Sequence, residues 1–332
     1  MDVVQAIEKY MTAIRSDEFA RYEKKLGQTI VTTLSEGYRH KSNEETLVES
    51  LAEGLNLDIQ PIRRPSFGIS TRSFFIHGSK SQVEFNYYGQ RKQRELGDMI
   101  FIIVAVFGGE KLFEKFTITQ FKKDNSRSKI MTWAMNNKPQ LYLLSRFPSF
   151  RGVSGSIIPM RLFDLPNDSG CLGSYAFLHR PGDFAFLSAT EIDSFVGTKN
   201  SLKNSELSSL ANECDFRGCL RGDWQLFRGL LGNDHHARNA FDFTYKYLRF
   251  RIGEPTYAVV GQDNSQARAF LLELLSAMRM KVGTGKARET LDEFFRYRYA
   301  GGEKNSEFRE NVEFDRNGGG IGIVHTTINL GE

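Results

Sequence analysis

Cysteine is scarce in this chain of 332 residues: there are three, Cys171, Cys214 and Cys219. So few cannot build a disulfide framework, which points to a reducing compartment, and Cys214 and Cys219 have no second Cys/His pair at zinc-ribbon spacing. Structural zinc is not expected. Long apolar runs are missing as well. The longest, Met99 to Phe107, is about half of the ~20 residues a membrane helix needs. The opening segment, MDVVQAIEKYMTAIRSDEFARYEKK, carries acids and bases throughout with no apolar centre, so it does not read as a signal peptide. These absences predict a soluble, cytoplasmic protein without a membrane partner. Neither charge dominates: the net value of +4 permits a polyanionic partner without demanding one. Internal repeats and long low-complexity tracts are absent. What remains is ordinary globular composition, 40% hydrophobic and 25% charged, enough for one large domain or two moderate ones.

Along the chain, residues 3 to 36 read as one or two amphipathic helices ended by Gly37. A further helix is expected from Ser42, where "SNEE" has the form of a capping box, to Leu55, with Leu47, Val48, Leu51 and Leu55 in one stripe. Residues 60 to 80 are basic and Gly/Ser-rich and read as a loop or an irregular edge, and "SQVEFNYYG" reads as a strand. "KIMTWAMNN" reads as helical, and Pro139 opens a second helix, "PQLYLLSRF". Residues 149 to 190 hold short strands with "RPGD" as a turn. From 191 the texture changes, with "GTKNSLKNSELSS" as a linker or exposed helix. Beyond it come helical "HHARNAFDFTYKYLRFRI", a strand "PTYAVVG", helical "SQARAFLLELLSAMRM" and a Gly-rich tail. The expected division is therefore residues 1–190 as one domain and 191–332 as a second, mixed α+β domain of unknown role in recognition, regulation or oligomerisation.

The chemistry concentrates in "ELGDMIFIIVAVFGGEKLFEKFTITQFKK", residues 95 to 123. The run Met99 to Phe107 is apolar at every position, the pattern of a strand buried on both faces in the middle of a sheet. With Gly108-Gly109-Glu110 as a three-residue turn, Asp98 falls opposite Gln120, and Lys122 follows one step further on the same face. Opposed side chains stand about 5 Å apart at Cβ, so a carboxylate, an amide and an ammonium gather at the end of the sheet. Taken singly, each is what any strand end carries. Together they suit metal-assisted phosphodiester hydrolysis. Asp98, the Gln120 oxygen and the Phe121 carbonyl offer hard oxygen ligands for Mg²⁺ or Mn²⁺, and Lys122 is placed to orient water or meet charge developing on phosphorus. The register depends on the turn, because a two-residue turn or a bulge shifts it by one.

A helix acid adds a fourth element. In the helix from Ser42, Glu44 falls among the apolar residues, where an acid needs a partner such as a metal or Lys122, whereas Glu45 has a sufficient structural role as the capping-box residue. Glu44 is favoured over Glu45, and both stay open.

An acid on an early helix ("NEETLVESL"), "ELGD" leading an apolar strand, "ITQFKK", and a helix beginning "PQLYLL" resemble the PD-(D/E)xK, or restriction-endonuclease-like, nuclease superfamily in its Gln-x-Lys variant. The likeness spans about residues 40 to 150. It implies an α/β fold with a mixed-sheet core flanked by helices and an Mg²⁺-dependent endonuclease, DNA favoured as substrate. Position by position, Asp98 would be the metal-binding acid, Gln120 would fill the (D/E) slot, Lys122 would be the catalytic lysine, and Glu44 or Glu45 the helix acid. Gln140 resembles a Gln often placed at the head of the following helix, and Glu95 is a candidate outer ligand. Gly97 stands where the pattern has Pro, and Gln120 lowers the negative charge of the site. Relatives of this form are often effectors of bacterial anti-phage defence. An unrestrained nuclease harms its host, so a partner protein, a homo-oligomer or a ligand acting through residues beyond 190 is expected to gate the site.

Arg63, Arg64 and Arg72, in the loop before the hairpin, are placed for phosphate contacts. "DHHARN" (234 to 239) is a poor metal motif, because adjacent helical residues such as His235 and His236 point about 100° apart. The aromatic and basic residues from Phe241 to Arg251 read as core stripe plus solvated edge, and "NGGGIGIV" fails the context test for a dinucleotide loop. The alternatives to the enzyme are an inactive protein of the same fold that binds nucleic acid or a partner protein, and a protein whose hairpin is merely core.

Overall fold

The computed structural model describes residues 3–59, 67–77, 81–125, 130–210, 233–259, 264–299 and 320–331. The helices discussed below are α1 (Val3–Ala13), α2 (Asp17–Arg39), α3 (Glu44–Gly54), α4 (Lys138–Arg146), α5 (Ala189–Val196), α6 (Ala240–Leu248), α7 (Ser265–Lys281) and α8 (Lys286–Arg296). The strands in the first half are β1 (Leu57–Ile59), β2 (Gly68–His77), β3 (Gln82–Tyr87), β4 (Gln90–Glu95), β5 (Met99–Phe107), β6 (Glu110–Lys123), β7 (Thr132–Ala134) and β8 (Phe150–Gly152). Those in the second half are β9 (Leu162–Phe163), β10 (Gly173–His179), β11 (Asp183–Ser188), β12 (Ser201–Lys203), β13 (His236–Ala237), β14 (Glu254–Ala258), β15 (Arg298–Tyr299) and β16 (Gly320–Asn329).

Ten of these strands make one mixed sheet in the order β1-β2-β16-β5-β6-β10-β11-β13, with β14 and β15 also on β6. The β5–β6 hairpin lies in its middle, as the unbroken apolar run requires, and all nine residues of β5 are buried. Because side chains alternate along a strand, Met99, Phe101, Ile103, Ala105 and Phe107 enter one core with α1, α2, α3 and α6. Ile100 and Ile102 enter the other, with α4, α5, α7 and α8. The chain is thus of mixed α/β class, a large mixed sheet with helices packed on both faces.

Several local expectations change. The hairpin turn has two residues, Gly108 and Gly109, both at positive φ, the backbone state that a tight hairpin favours and that glycine adopts without strain. A bulge at Leu112 then inserts one residue into β6, so Ala105 to Met99 pair with Phe113 to Thr119 in the register that a three-residue turn would have given. Two departures cancel, and Asp98 still stands at the position opposite Gln120.

Gly37 does not end α2. It lies within the helix, where a Cβ would come within 2.3 Å of Leu47 Cδ2, so its missing side chain leaves room for Leu47 of α3. The basic stretch 60 to 80 contains β2, a ten-residue strand, rather than only a loop. Within "KIMTWAMNN", Thr132–Ala134 is not helical but forms β7, which pairs with β12 from the expected linker, and Lys129 lies outside the described residues. His236 begins no helix but sits in β13. The division at residue 190 is not followed by the sheet. Residues beyond it supply β13, β14, β15 and β16, and β16 lies between β2 and β5 at the centre. The Gly-rich tail could fill that position because its second half, "IGIVHTTIN", is a strand sequence buried over Ile321 to Ile328.

Candidate active site

Asp98 sits immediately before β5, its backbone held on both sides. Its N–H donates to Thr119 O at 3.0 Å, and its carbonyl accepts from Gly322 N of β16 at 2.8 Å. The side chain is as constrained. Oδ2 accepts from Phe121 N at 2.7 Å and from the Gln120 amide nitrogen. Among the described residues no donor reaches Oδ1. Asp98 lines a cavity of about 560 Å³ with Glu44, Glu45, Glu95, Gln120, Lys122 and Gln140, together with Asn43, Val48, Phe75, Asn137 and Gly320. Burial pushes its carboxyl up to about 7; Lys122 and the Phe121 N–H oppose the rise, and Glu44 and Glu95 add to it. Burial also raises Glu95, against Lys122 and with Glu45 and Glu44.

Helix α3 begins where the site needs an acid. Asn43, not Ser42, is its N-cap and accepts from Thr46 N at 2.8 Å, so Glu45 is not a capping-box residue and is exposed. Glu44, the first helical residue, reaches across to β6: Oε1 lies 3.2 Å from Lys122 Nζ, and Oε2 accepts from Lys123 N at 2.6 Å. It stands at the edge of the apolar stripe rather than at its centre, 37% exposed. The structure therefore places Glu44 beside Lys122, while Glu45 lines the cavity without that contact.

Gln140 is also brought into the site. Asn137 caps α4 and accepts from Gln140 N at 3.3 Å, which fixes the third residue of that helix at the cavity. Gln140 Nε2 donates to Glu95 O at 2.9 Å and to Gln120 Oε1. Gln120 thus presents its amide nitrogen, and not its oxygen, to Asp98. The expected ligand pair of Asp98 and the Gln120 oxygen is not what this arrangement offers, because that oxygen faces the Gln140 amide and the nitrogen faces Asp98.

The arginines fare differently. Arg72 lies in β2 and pairs with Asp58 at 2.6 Å, away from the residues that line the cavity, so it is not a loop residue poised for phosphate. Arg63 and Arg64 lie outside the described residues. Sequence reasoning missed Asn137 and Arg94. Asn137 carries a readable signal as an Asn two residues before Pro139 at a helix start; Arg94, inside the polar strand "QRKQRE", carries none.

The cavity acids suit a hard cation in kind: Asp98 with one uncommitted oxygen, the Phe121 carbonyl 3.3 Å from Gln120 Nε2, and Glu44, Glu45 and Glu95, with no His or Cys among the described lining residues. That donor set fits Mg²⁺ or Mn²⁺, which bind through one or two carboxylates and keep waters and phosphate oxygens. The acids are not packed into a chelating cluster. Among the described residues the three side chains whose ligand atoms lie within 4.8 Å of one another are Glu49, Glu53 and His77. His77 is largely exposed and already pairs with Glu49 at 3.5 Å. Among the described residues no helix is long and apolar enough to cross a membrane. Comparisons with protein-family models, curated proteins and solved structures found no match.

Proposed function

We propose that this protein is a metal-dependent endonuclease of the PD-(D/E)xK kind that hydrolyses phosphodiester bonds of nucleic acid, DNA in the first instance, in the cytoplasm and as part of anti-phage defence. One observation carries the reading: Asp98 just ahead of β5, Gln120 and Lys122 on β6, and Glu44 on α3 line one cavity at the end of the central hairpin. A bound Mg²⁺ or Mn²⁺ would supply Lewis-acid polarisation of the phosphate. Asp98, from Oδ1, and the Phe121 carbonyl would hold it, with Glu44 or Glu45 within reach across the cavity. Lys122 Nζ, oriented by Glu44, donates hydrogen bonds to the attacking water or to a phosphoryl oxygen as charge grows there.

The second reading, an inactive protein of this fold that binds nucleic acid, is favoured by the Gln120 amide nitrogen facing Asp98, which offers a cation one ligand fewer. Cleavage of plasmid, linear and single-stranded DNA and of RNA, in Mg²⁺, Mn²⁺ or EDTA, separates the two. Loss of metal-dependent cleavage in Lys122→Ala with folding retained supports the enzyme; binding without cleavage by wild type supports the second reading. A gating partner or oligomer belongs to the same proposal, and full activity of the isolated monomer on cellular DNA would count against it.

A further inference from the structure

The side-chain amides around Asp98 form a chain whose direction is set from its far end. Arg94 Nε donates to Asn137 Oδ1 at 2.9 Å, and a guanidinium can only donate. The backbone N–H of Gln140 donates to the same oxygen at 3.3 Å. The amide nitrogen of Asn137 therefore faces Gln140, and it donates to Oε1 at 3.0 Å. That leaves Gln140 Nε2 as the donor to the Glu95 carbonyl and to Gln120 Oε1. Gln120 Nε2 is the donor in turn, to Asp98 Oδ2 and, at 3.3 Å, to the Phe121 carbonyl. Every amide in the chain meets a group of fixed polarity. Turning Gln120 over alone would set its oxygen against Asp98 Oδ2 and the Phe121 carbonyl, and its nitrogen against Gln140 Nε2. Both glutamines are about 95% buried, with 4% and 5% exposure, so water does not compensate the mismatch.

We propose that Gln120 serves Asp98 as a hydrogen-bond donor and not as a cation ligand, and that Arg94 and Asn137 are positioning residues that hold it in that role. Asp98 is thereby gripped at Oδ2 and presents Oδ1 to the cavity. The statement about a cation rests on the nuclease reading; the statement about the donor does not. Under the nuclease reading, Gln120 in the (D/E) slot orients the first ligand instead of supplying a second negative one.

The test combines side-chain amide NMR in EDTA with Mn²⁺ calorimetry, on the full chain, with circular dichroism to confirm folding of each variant. The Gln120 amide protons, assigned by their loss in Gln120→Met, should lie downfield and move upfield in Asp98→Ala. For Mn²⁺, Gln120→Met should leave the Kd within about threefold of wild type or tighten it, since no ligand is lost and Oδ2 is released. Asn137→Asp keeps the acceptor for Arg94 but removes the donor to Gln140. With that donor gone the chain is no longer held from Arg94, so the Gln120 amide resonances should shift. A loss of tenfold or more in Mn²⁺ affinity in Gln120→Met would overturn the proposal, as would Gln120 amide resonances unmoved by Asp98→Ala. If wild type binds no Mn²⁺, the nuclease reading fails and the NMR comparison alone decides whether Gln120 is the donor.

Discussion

Asp98 makes the stability of this protein depend on pH in a direction opposite to that of most surface acids. Its carboxyl is raised from 3.8 to about 7, chiefly by burial. Between about pH 4 and pH 7 the folded chain therefore holds a proton that the unfolded chain, with a carboxyl near 3.9, has released. The state that binds more protons is favoured at low pH, so unfolding becomes easier as pH rises through that window, and the loss is complete above about pH 8. At about 1.4 kcal/mol per pH unit, a shift of roughly three units corresponds to about 4 kcal/mol for a dry site. Asp98 is only half-buried against the cavity, so water screens part of that, and about 1–4 kcal/mol is expected. Asp98→Asn keeps the shape and can still accept from Phe121 N and Gln120, but it carries no titrating proton. Urea unfolding of both proteins in EDTA at pH 5, 6, 7 and 8 measures the difference. Wild type and variant should be close at pH 5, and the variant should become the more stable as pH rises. Parallel pH profiles, or a variant that is less stable at pH 8, would refute the reasoning. Under the proposed function, millimolar Mg²⁺ at pH 8 should restore much of the lost stability to wild type and none to Asp98→Asn.

Further outcomes follow from the packing. Lys111 and Glu114 pair at 2.6 Å with both side chains fully buried, and Glu114 Oε1 also accepts from Tyr299 and Thr256 hydroxyls. Glu114→Leu alone should cost about 3–5 kcal/mol in urea unfolding, and Lys111→Met with Glu114→Leu should recover most of it. Ending the chain before residue 320 removes β16 from between β2 and β5, and circular dichroism should show no cooperative unfolding transition. A Cβ on Gly322 would stand 3.0 Å from Ala52 Cβ and 3.3 Å from Met99 Cε, so Gly322→Val should push α3 off the sheet at a cost of about 1–3 kcal/mol in urea unfolding and, under the proposed function, reduce cleavage by separating Glu44 from Lys122.

How much of this was legible in the sequence depends on the range of each interaction. The central hairpin was legible because nine consecutive apolar residues are a statement about burial on both faces, which needs no partner to be named. Glu44 was legible as an acid in need of a cation because helical spacing puts it near Leu47, Val48 and Leu51, although the cap at Asn43 moved it to the edge of that stripe. Residues 68–77 were not legible as a strand. "GISTRSFFIH" alternates only loosely, and what buries it is β16, which lies about 250 residues later in the chain. "MTWAM" looks helical by composition, but Trp133 is buried and donates to Leu178 O at 2.8 Å, and the segment is extended so as to pair with β12. The direction of the Gln120 amide could not be read at all, because it is set by Arg94 of β4 through two side chains at the start of α4, Asn137 and Gln140.

The glycines of the tail explain why the last strand belongs to the site. Strand interiors disfavour glycine, so Gly320 and Gly322 in a central strand need a reason. Gly322 is buried where α3 crosses the sheet, its missing side chain leaving room for Ala52 of that helix and for Met99 of the neighbouring strand. The same residue donates its N–H to the Asp98 carbonyl, and Gly320 lines the cavity. A side chain at 322 would therefore change two distances together: that from α3 to the sheet, which sets Glu44 against Lys122, and that from β16 to β5, which sets Asp98. A nuclease-like half followed by a separate domain would leave the acid and the helix to be positioned by local sequence alone. Here β16 helps to position both, through the Gly322 N–H on the Asp98 carbonyl and the close approach of Gly322 to Ala52 of α3.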